Sequence, residues 1–239
     1  MKYVIPTLLL TISLISCGQS QPAPAMPDGA ATADHINRLS EAQLQQLVAE
    51  GEQWAQDHPG QDVNAHALTV LNDTPGHLTT QWSIGEWTGL GPAQGALCNA
   101  HLINCYKTKL YKDQAQRVAR TKYGNGEQNG KIDAYRHTYW NALMTRGAGV
   151  QWATDFANAH EADNPPSSAK SYVSRDMDYY NNSQGRTIGL NYPANTAADT
   201  VVEAKIVDYM TYGKLKVFNS AGTALVWSNS PDACSLYNC

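Results

Sequence analysis

Apolar residues recur at helical spacing through most of the chain. Ser40-Glu41-Ala42-Gln43 has the form of a capping box, and Leu44, Leu47, Val48, Trp54 and Ala55 then share one face, which predicts an amphipathic helix that Pro59-Gly60 ends. Val63 to Leu71 reads as a short second helix. From Gly85 to Cys105 glycine and proline interrupt the pattern, so turns and short helical pieces are expected, anchored by Trp82, Trp87, Leu90 and Leu97. Helical spacing returns over Lys109 to Lys122, Asp133 to Gly147 and Gln151 to Ala162, the last two joined by a tight Arg146-Gly147-Ala148-Gly149 turn. Asn195 to Met210 predicts a long helix opening on an Asn or Thr cap. The period then changes: Leu215 to Asn219 and Thr223 to Trp227 flank Ser220-Ala221-Gly222, a hairpin signal. The expected fold is mainly α, a compact helical domain over residues 38–239 with a small C-terminal β-hairpin.

The N-terminus has a different pattern. Lys2 precedes an apolar run from Val4 to Ile15 that is too short to span a bilayer, and the run ends in Leu14-Ile15-Ser16-Cys17. That tetrad resembles a bacterial lipobox, which implies a signal peptide over 1–16 and lipid on Cys17. An ordinary secretory peptide would place an A-x-A site close behind the apolar run, and the nearest match lies downstream in Pro22-Ala23-Pro24-Ala25. Residues 17–37, rich in Pro, Ala, Gly and Gln, read as a flexible tether. The expected location is the cell envelope: the outer membrane of a Gram-negative cell, because Gly18 and not Asp follows the cysteine, or otherwise the outer face of the plasma membrane. The expected partner is therefore a membrane, reached through the lipid anchor.

Composition narrows the classes. With 42% hydrophobic and 16% charged residues in 239, the chain is one ordinary globular domain plus a short tail. A net charge of −4 gives no electrostatic footprint for nucleic acid. The local basic run of Lys107, Lys109, Lys112, Arg117, Arg120 and Lys122 reads as a solvated helix face. Four cysteines remain beside Cys17, which in an exported chain suggests two disulfides, and the short spacings favour Cys98 with Cys105 and Cys234 with Cys239. Zinc on these four is disfavoured, because the spacings are not those of C-x2-C pairs.

Titratable and amide side chains crowd three islands between Asp133 and Gly189. Asp133, His137 and Asn141 lie four apart and share a helix face, where a carboxylate one turn before a histidine can fix its tautomer. Arg136 and Trp140 occupy the adjoining face. His160 and Glu161 follow Trp152, Ala153, Phe156 and Ala157 on the next helix. A loop is expected to add Asp176, Asp178, Asn181, Asn182 and Arg186, with Gly185 and Gly189 in tight turns. The catalytic candidates are Asp133, His137, His160, Glu161 and Arg186, with Arg136, Trp140, Asn141, Asn181 and Asn182 as substrate-binding candidates. His137, His160, Glu161 and Asp178 are candidate ligands for zinc or calcium. This set fits metal-assisted or histidine-based hydrolysis without a covalent nucleophile, as no G-x-S-x-G elbow occurs. It equally fits a non-catalytic binding pocket or a polar network locking helices together. Asn125 to Asp133 has the opening of a calcium loop, but Arg136 stands where a bidentate Glu is needed, so it reads as a polar turn into a helix that Asp133 helps to start. A phospholipid or other phosphoester is the first substrate class to consider, since the set is similar in arrangement, though not in motif, to secreted phospholipases.

Together, DAYRHTYWN, AHE and DYYNNSQGR resemble the signature D-A-x-R-H-x-x-W-N, A-H-E and D-x-x-N-N-x-x-G-R of a bacterial domain family of unknown function. The resemblance runs from about Trp87 to Trp227. It implies an extracytoplasmic helical domain, in a family found in lipoproteins and the C-terminal modules of polymorphic toxins. It supplies no reaction. Tyr179-Tyr180 stands where Leu-His is expected in relatives, so a third histidine ligand is not implied here.

Overall fold

The computed structural model describes residues 39–73, 90–125 and 128–234; Cys17, Trp82, Trp87 and Cys239, and with them the signal peptide, tether and lipid site, lie outside these residues. The described residues are mainly helical. They form α1 (Glu41–Asp57), α2 (Val63–Asp73), α3 (Pro92–Ala100), α4 (Leu102–Tyr123), α5 (Lys131–Ala148), α6 (Val150–Asp163), α7 (Ala169–Asn191) and α8 (Asp199–Thr211), followed by strands β1 (Lys216–Phe218) and β2 (Leu225–Trp227).

Local chemistry accounts for the ends of several elements. The expected capping box opens α1: Ser40 Oγ accepts from Gln43 N at 3.3 Å and Gln43 Oε1 accepts from Ser40 N at 2.9 Å. Gly60, at φ +84°, turns the chain after α1. Pro92 starts α3, and its free N–H groups are closed from a distance, with Ala93 N and Gln94 N donating to the two carboxylate oxygens of Asp163, each at 2.9 Å. A disulfide between Cys98 and Cys105 bridges the break between α3 and α4, as the spacing predicts. Cys234 is buried and disulfide-bonded.

α5 is buried almost all round, which suits a central helix and not a surface one. It is packed by α4, α6, α7, α8 and β1. Its closest neighbour is α7, the segment expected as a loop. Asp176, Asp178, Asn181, Asn182 and Arg186 are in fact helical, and Gly185 and Gly189 make no turn. A Cβ on Gly185 would stand 2.2 Å from the Thr138 carbonyl oxygen, and one on Gly189 2.7 Å from that of Ala142. The glycines, four apart, form the flat strip on which α7 rides against the α5 backbone. Asn, Ser, Gly and Asp favour loops in isolation, and tertiary packing overrides that preference here.

Other boundaries also differ. α4 starts at Leu102, seven residues before the expected Lys109, because the disulfide and Leu102, Ile103, Cys105 and Tyr106 bury its first turns. α8 begins at Asp199 and not Asn195, behind Ala198, which offers no side-chain cap; Thr196 N donates instead to Pro193 O in the preceding turn. The basic run on α4 is not a plainly solvated face. Lys107 Nζ donates to Gly147 O at 2.8 Å and pairs with Glu52, and burial, joined by Arg136, lowers the Lys112 pKa.

β1 and β2 pair antiparallel with Val217 opposite Val226, as the hairpin signal predicts. Asn219 Oδ1 closes the turn by accepting from Thr223 N at 2.8 Å and Ala224 N at 3.1 Å. Asn181 ties α7 to β1, its Oδ1 accepting from Lys216 N at 3.0 Å and its Nδ2 donating to Lys216 O at 2.9 Å. Among the described residues no helix is long and apolar enough to cross a membrane.

Candidate functional site

The polar stripe on α5 faces α7, and the two helices close around it. Asn141 Nδ2 donates to Asn182 Oδ1 at 2.6 Å and to His137 O at 3.1 Å, which sets the Asn182 oxygen toward α5. His137 Nδ1 lies 3.2 Å from that oxygen and must carry a proton to bond it. Nε2 is left with its lone pair directed into the site. Arg186 Nη1 donates to Asn141 Oδ1 at 3.2 Å, so Arg186 braces this relay.

Three groups surround Nε2. Asp133 Oδ1 and Asp178 Oδ1 each lie 3.4 Å away, and Arg136 Nη2 lies 2.8 Å from Nε2 and 2.5 Å from Asp133 Oδ1. One ligand atom from each of Asp133, His137 and Asp178 falls within 4.8 Å of the others. Asp133 is held from behind, its Oδ2 accepting from Asn129 N at 2.9 Å. That bond closes the turn before α5, where Asn129 has φ +67°. The calcium-like segment thus leads into a helix that Asp133 helps to start.

The electrostatics follow from burial. Desolvation, joined by Arg136, pushes the His137 pKa down to about 3, so the ring is neutral at pH 7. Burial acts on Asp133 in the direction of protonation, but Arg136, His137 and the Asn129 N–H outweigh it and hold the carboxyl below its usual range. Asp178 is pushed well above the carboxylate range by burial and then by Asp133 and Glu161. Burial likewise raises Glu161 to about 7. Asp178 Oδ1 and Glu161 Oε1 are both buried with no hydrogen-bond partner, the kind of orphan that native interiors rarely tolerate without a reason.

α6 supplies the second wall. Glu161 lies close enough to feel Asp133, Arg136 and Arg175. His160 is not brought into the three-residue cluster. Its Nδ1 faces Gln94 Oε1 at 3.4 Å, its ring meets Trp140 edge to face at 6.3 Å, and burial with Arg136 and Lys112 lowers its pKa to about 4. Trp140 is a wall and not an exposed surface: it is 4% exposed and its Nε1 donates to Thr108 O at 3.1 Å. Asn141, Asn181 and Asn182 are buried and engaged internally.

Three residues join the site without having been singled out for it. Gln94 arrives from α3 and touches His160, 66 residues away, so no local pattern could indicate it. Lys112 was visible only as part of the basic run. Arg175 stands one turn before Asp178 on α7, and reading that segment as a helix would have placed it there.

Residues 95–214 match the family described as Domain of unknown function (DUF6973). The chain belongs to this family. The matched stretch is narrower than the resemblance from Trp87 to Trp227, but it contains every residue of the cluster and both helices that position them. It ends before β1, so the hairpin that Asn181 anchors lies beyond it. No curated protein and no solved structure matches the chain.

Proposed function

We propose that this chain is a metal-assisted hydrolase, held at the cell envelope by lipid on Cys17, whose cation is taken by Asp133, His137 and Asp178. The convergence of these three ligand atoms within 4.8 Å carries the reading. Donors about 2.1 Å from one cation at near-tetrahedral angles stand about 3.4 Å apart. That is the separation of His137 Nε2 from both carboxylate oxygens. A neutral imidazole with a fixed Nδ1–H is the form a metal ligand requires, and Asn182 supplies the outer partner that orients it. A mixed nitrogen and oxygen set favours zinc or a similar transition ion over calcium, which prefers oxygen alone.

Glu161 is the residue suited to move a proton, since it is buried beside the cluster with one oxygen unpaired and titrates near neutrality. A bound cation would supply Lewis-acid polarisation and lower the pKa of a bound water. His137, titrating far below neutrality, is a weak general base and a better ligand.

The second reading, a non-catalytic envelope protein with a fixed polar network, is favoured by one observation: the Arg136 guanidinium stands between Asp133 and His137 where a cation would sit. Cation entry requires Arg136 to swing out. The test is turnover of a panel of phosphate and carboxylate esters by the mature chain, with zinc, with calcium and with chelator. The hydrolase reading expects metal-dependent turnover that Asp178→Asn reduces at least about a hundredfold. Absence of turnover with every ester and either metal would overturn it in favour of the second.

A further inference from the structure

Arg175 is held but not used. Its guanidinium lies 5.1 Å from the ring centre of Tyr172 and 5.9 Å from that of Tyr179, one helical turn away on either side. Its Nε is buried without a partner, and among the described residues no hydrogen bond or ion pair engages the group. Arg175 is half-buried, and Nε alone is shut off from water without an acceptor, so the Nη groups face outward with donors free to take an anion. Glu161 acts electrostatically with Arg175 without reaching ion-pair distance, and Glu161 Oε1 is itself unpaired. Arg175 stands one helical turn before Asp178 on α7, with Glu161 on the neighbouring α6.

We propose that Arg175, clamped between Tyr172 and Tyr179, is the anion-binding residue of this site and receives the phosphoryl group of a phosphate ester. The proposal rests on the hydrolase reading and names its substrate class. A planar guanidinium presents parallel donors that match phosphate oxygens two at a time. Its partners Tyr172 and Tyr179 are 51% and 40% exposed, and they offer flat apolar faces to the organic part of the ester. A phosphoryl group has three terminal oxygens where a carboxylate has two, so it can take parallel donors from Arg175 and still offer an oxygen to a cation. Arg186, bound to Asn141, and Arg136, bound to Asp133, are already engaged and leave Arg175 to receive it.

The experiment is calorimetric titration of the mature chain, loaded with zinc, with phenyl phosphate, inorganic phosphate and benzoate, followed by the same titrations on variants whose thermal melts confirm folding. Phenyl phosphate is expected to bind and benzoate to bind at least about tenfold more weakly. Arg175→Ala is expected to weaken phenyl phosphate at least about tenfold, and Arg175→Lys to restore only part of the loss. Tyr172→Ala with Tyr179→Ala is expected to weaken phenyl phosphate more than inorganic phosphate, because it removes the faces for the organic ring as well as the clamp on Arg175. Binding of phenyl phosphate unchanged by Arg175→Ala, or no binding by the wild type, would overturn the assignment. The two readings separate cleanly: Arg175-dependent binding without turnover keeps the anion site and sinks the hydrolase. Turnover of a phosphate ester with KM unchanged in Arg175→Ala does the reverse.

Discussion

At His137 the two ring nitrogens have different surroundings, and the difference was half legible. The i, i+4 spacing of Asp133, His137 and Asn141 places them on one stripe whatever the rest of the chain does. What spacing could not supply is Asn182, 45 residues away, whose oxygen fixes the tautomer. His160 shows the limit more sharply: it lies on the predicted helix, yet a long-range contact with Gln94 turns it from the cluster. Two predictions belong at this scale. In metal-free protein, Glu161 has its pKa raised from 4.5 to about 7. The native state therefore holds a proton that the unfolded chain releases, and its contribution is present below pH 4.5 and lost as pH rises through about 7. Glu161→Gln should thus gain about 1 to 3 kcal/mol over wild type at pH 8 and little at pH 4.5, read from urea unfolding at the two pH values. His137 has the opposite sign, its pKa falling from 6.5 to about 3, so its contribution is present above pH 6.5 and lost as pH falls toward 3. His137→Ala should flatten the acid limb of the stability curve, measured by thermal melts between pH 3 and 7. An unchanged acid limb would mean that the ring is not buried neutral.

Among the elements, α1, α2, α5, α6 and the hairpin follow from period and punctuation alone, because amphipathic spacing and turn residues agree there with the packing. α7 does not. Its composition is that of a loop, and its helix is stabilised by Gly185 and Gly189 lying against the α5 backbone and by Asn181 anchoring β1, neither visible before α5 and α7 are placed together. The misreading mattered for function as well as fold, since a helix puts Arg175, Asp178, Asn182 and Arg186 on the side facing α5 and α6. Gly185→Ala tests the packing directly. A Cβ 2.2 Å from the backbone oxygen of Thr138 cannot be relieved by a side-chain rotation, so the helices must separate. A loss of about 1 to 3 kcal/mol in urea unfolding is expected, together with weaker metal binding as Asp178 withdraws from His137. A neutral substitution would show that α7 has room to spare and that the close approach is not what positions Asp178.

On the scale of the whole molecule, the site sits at a three-helix seam. α5 carries Asp133 and His137, α7 carries Asp178 and Arg175, α6 carries Glu161, and α3 is tied on by Asp163 and the Cys98–Cys105 bridge. The matched family segment covers this seam and stops short of the hairpin. The proposed anchor has its own test: Cys17→Ser should move the protein from the membrane to the soluble fraction after cell lysis. Retention in the membrane fraction would count against lipid on Cys17. The central claim, that Asp133, His137 and Asp178 take one cation, is tested most directly by elemental mass spectrometry of the purified mature chain after zinc loading and desalting, beside the His137→Ala, Asp178→Asn double variant. The account predicts about one equivalent of zinc in the wild type and less than about a tenth in the variant, with both proteins folded. Equal metal in the two, or none in the wild type, would contradict it and leave Arg136 as the permanent cation of a structural network.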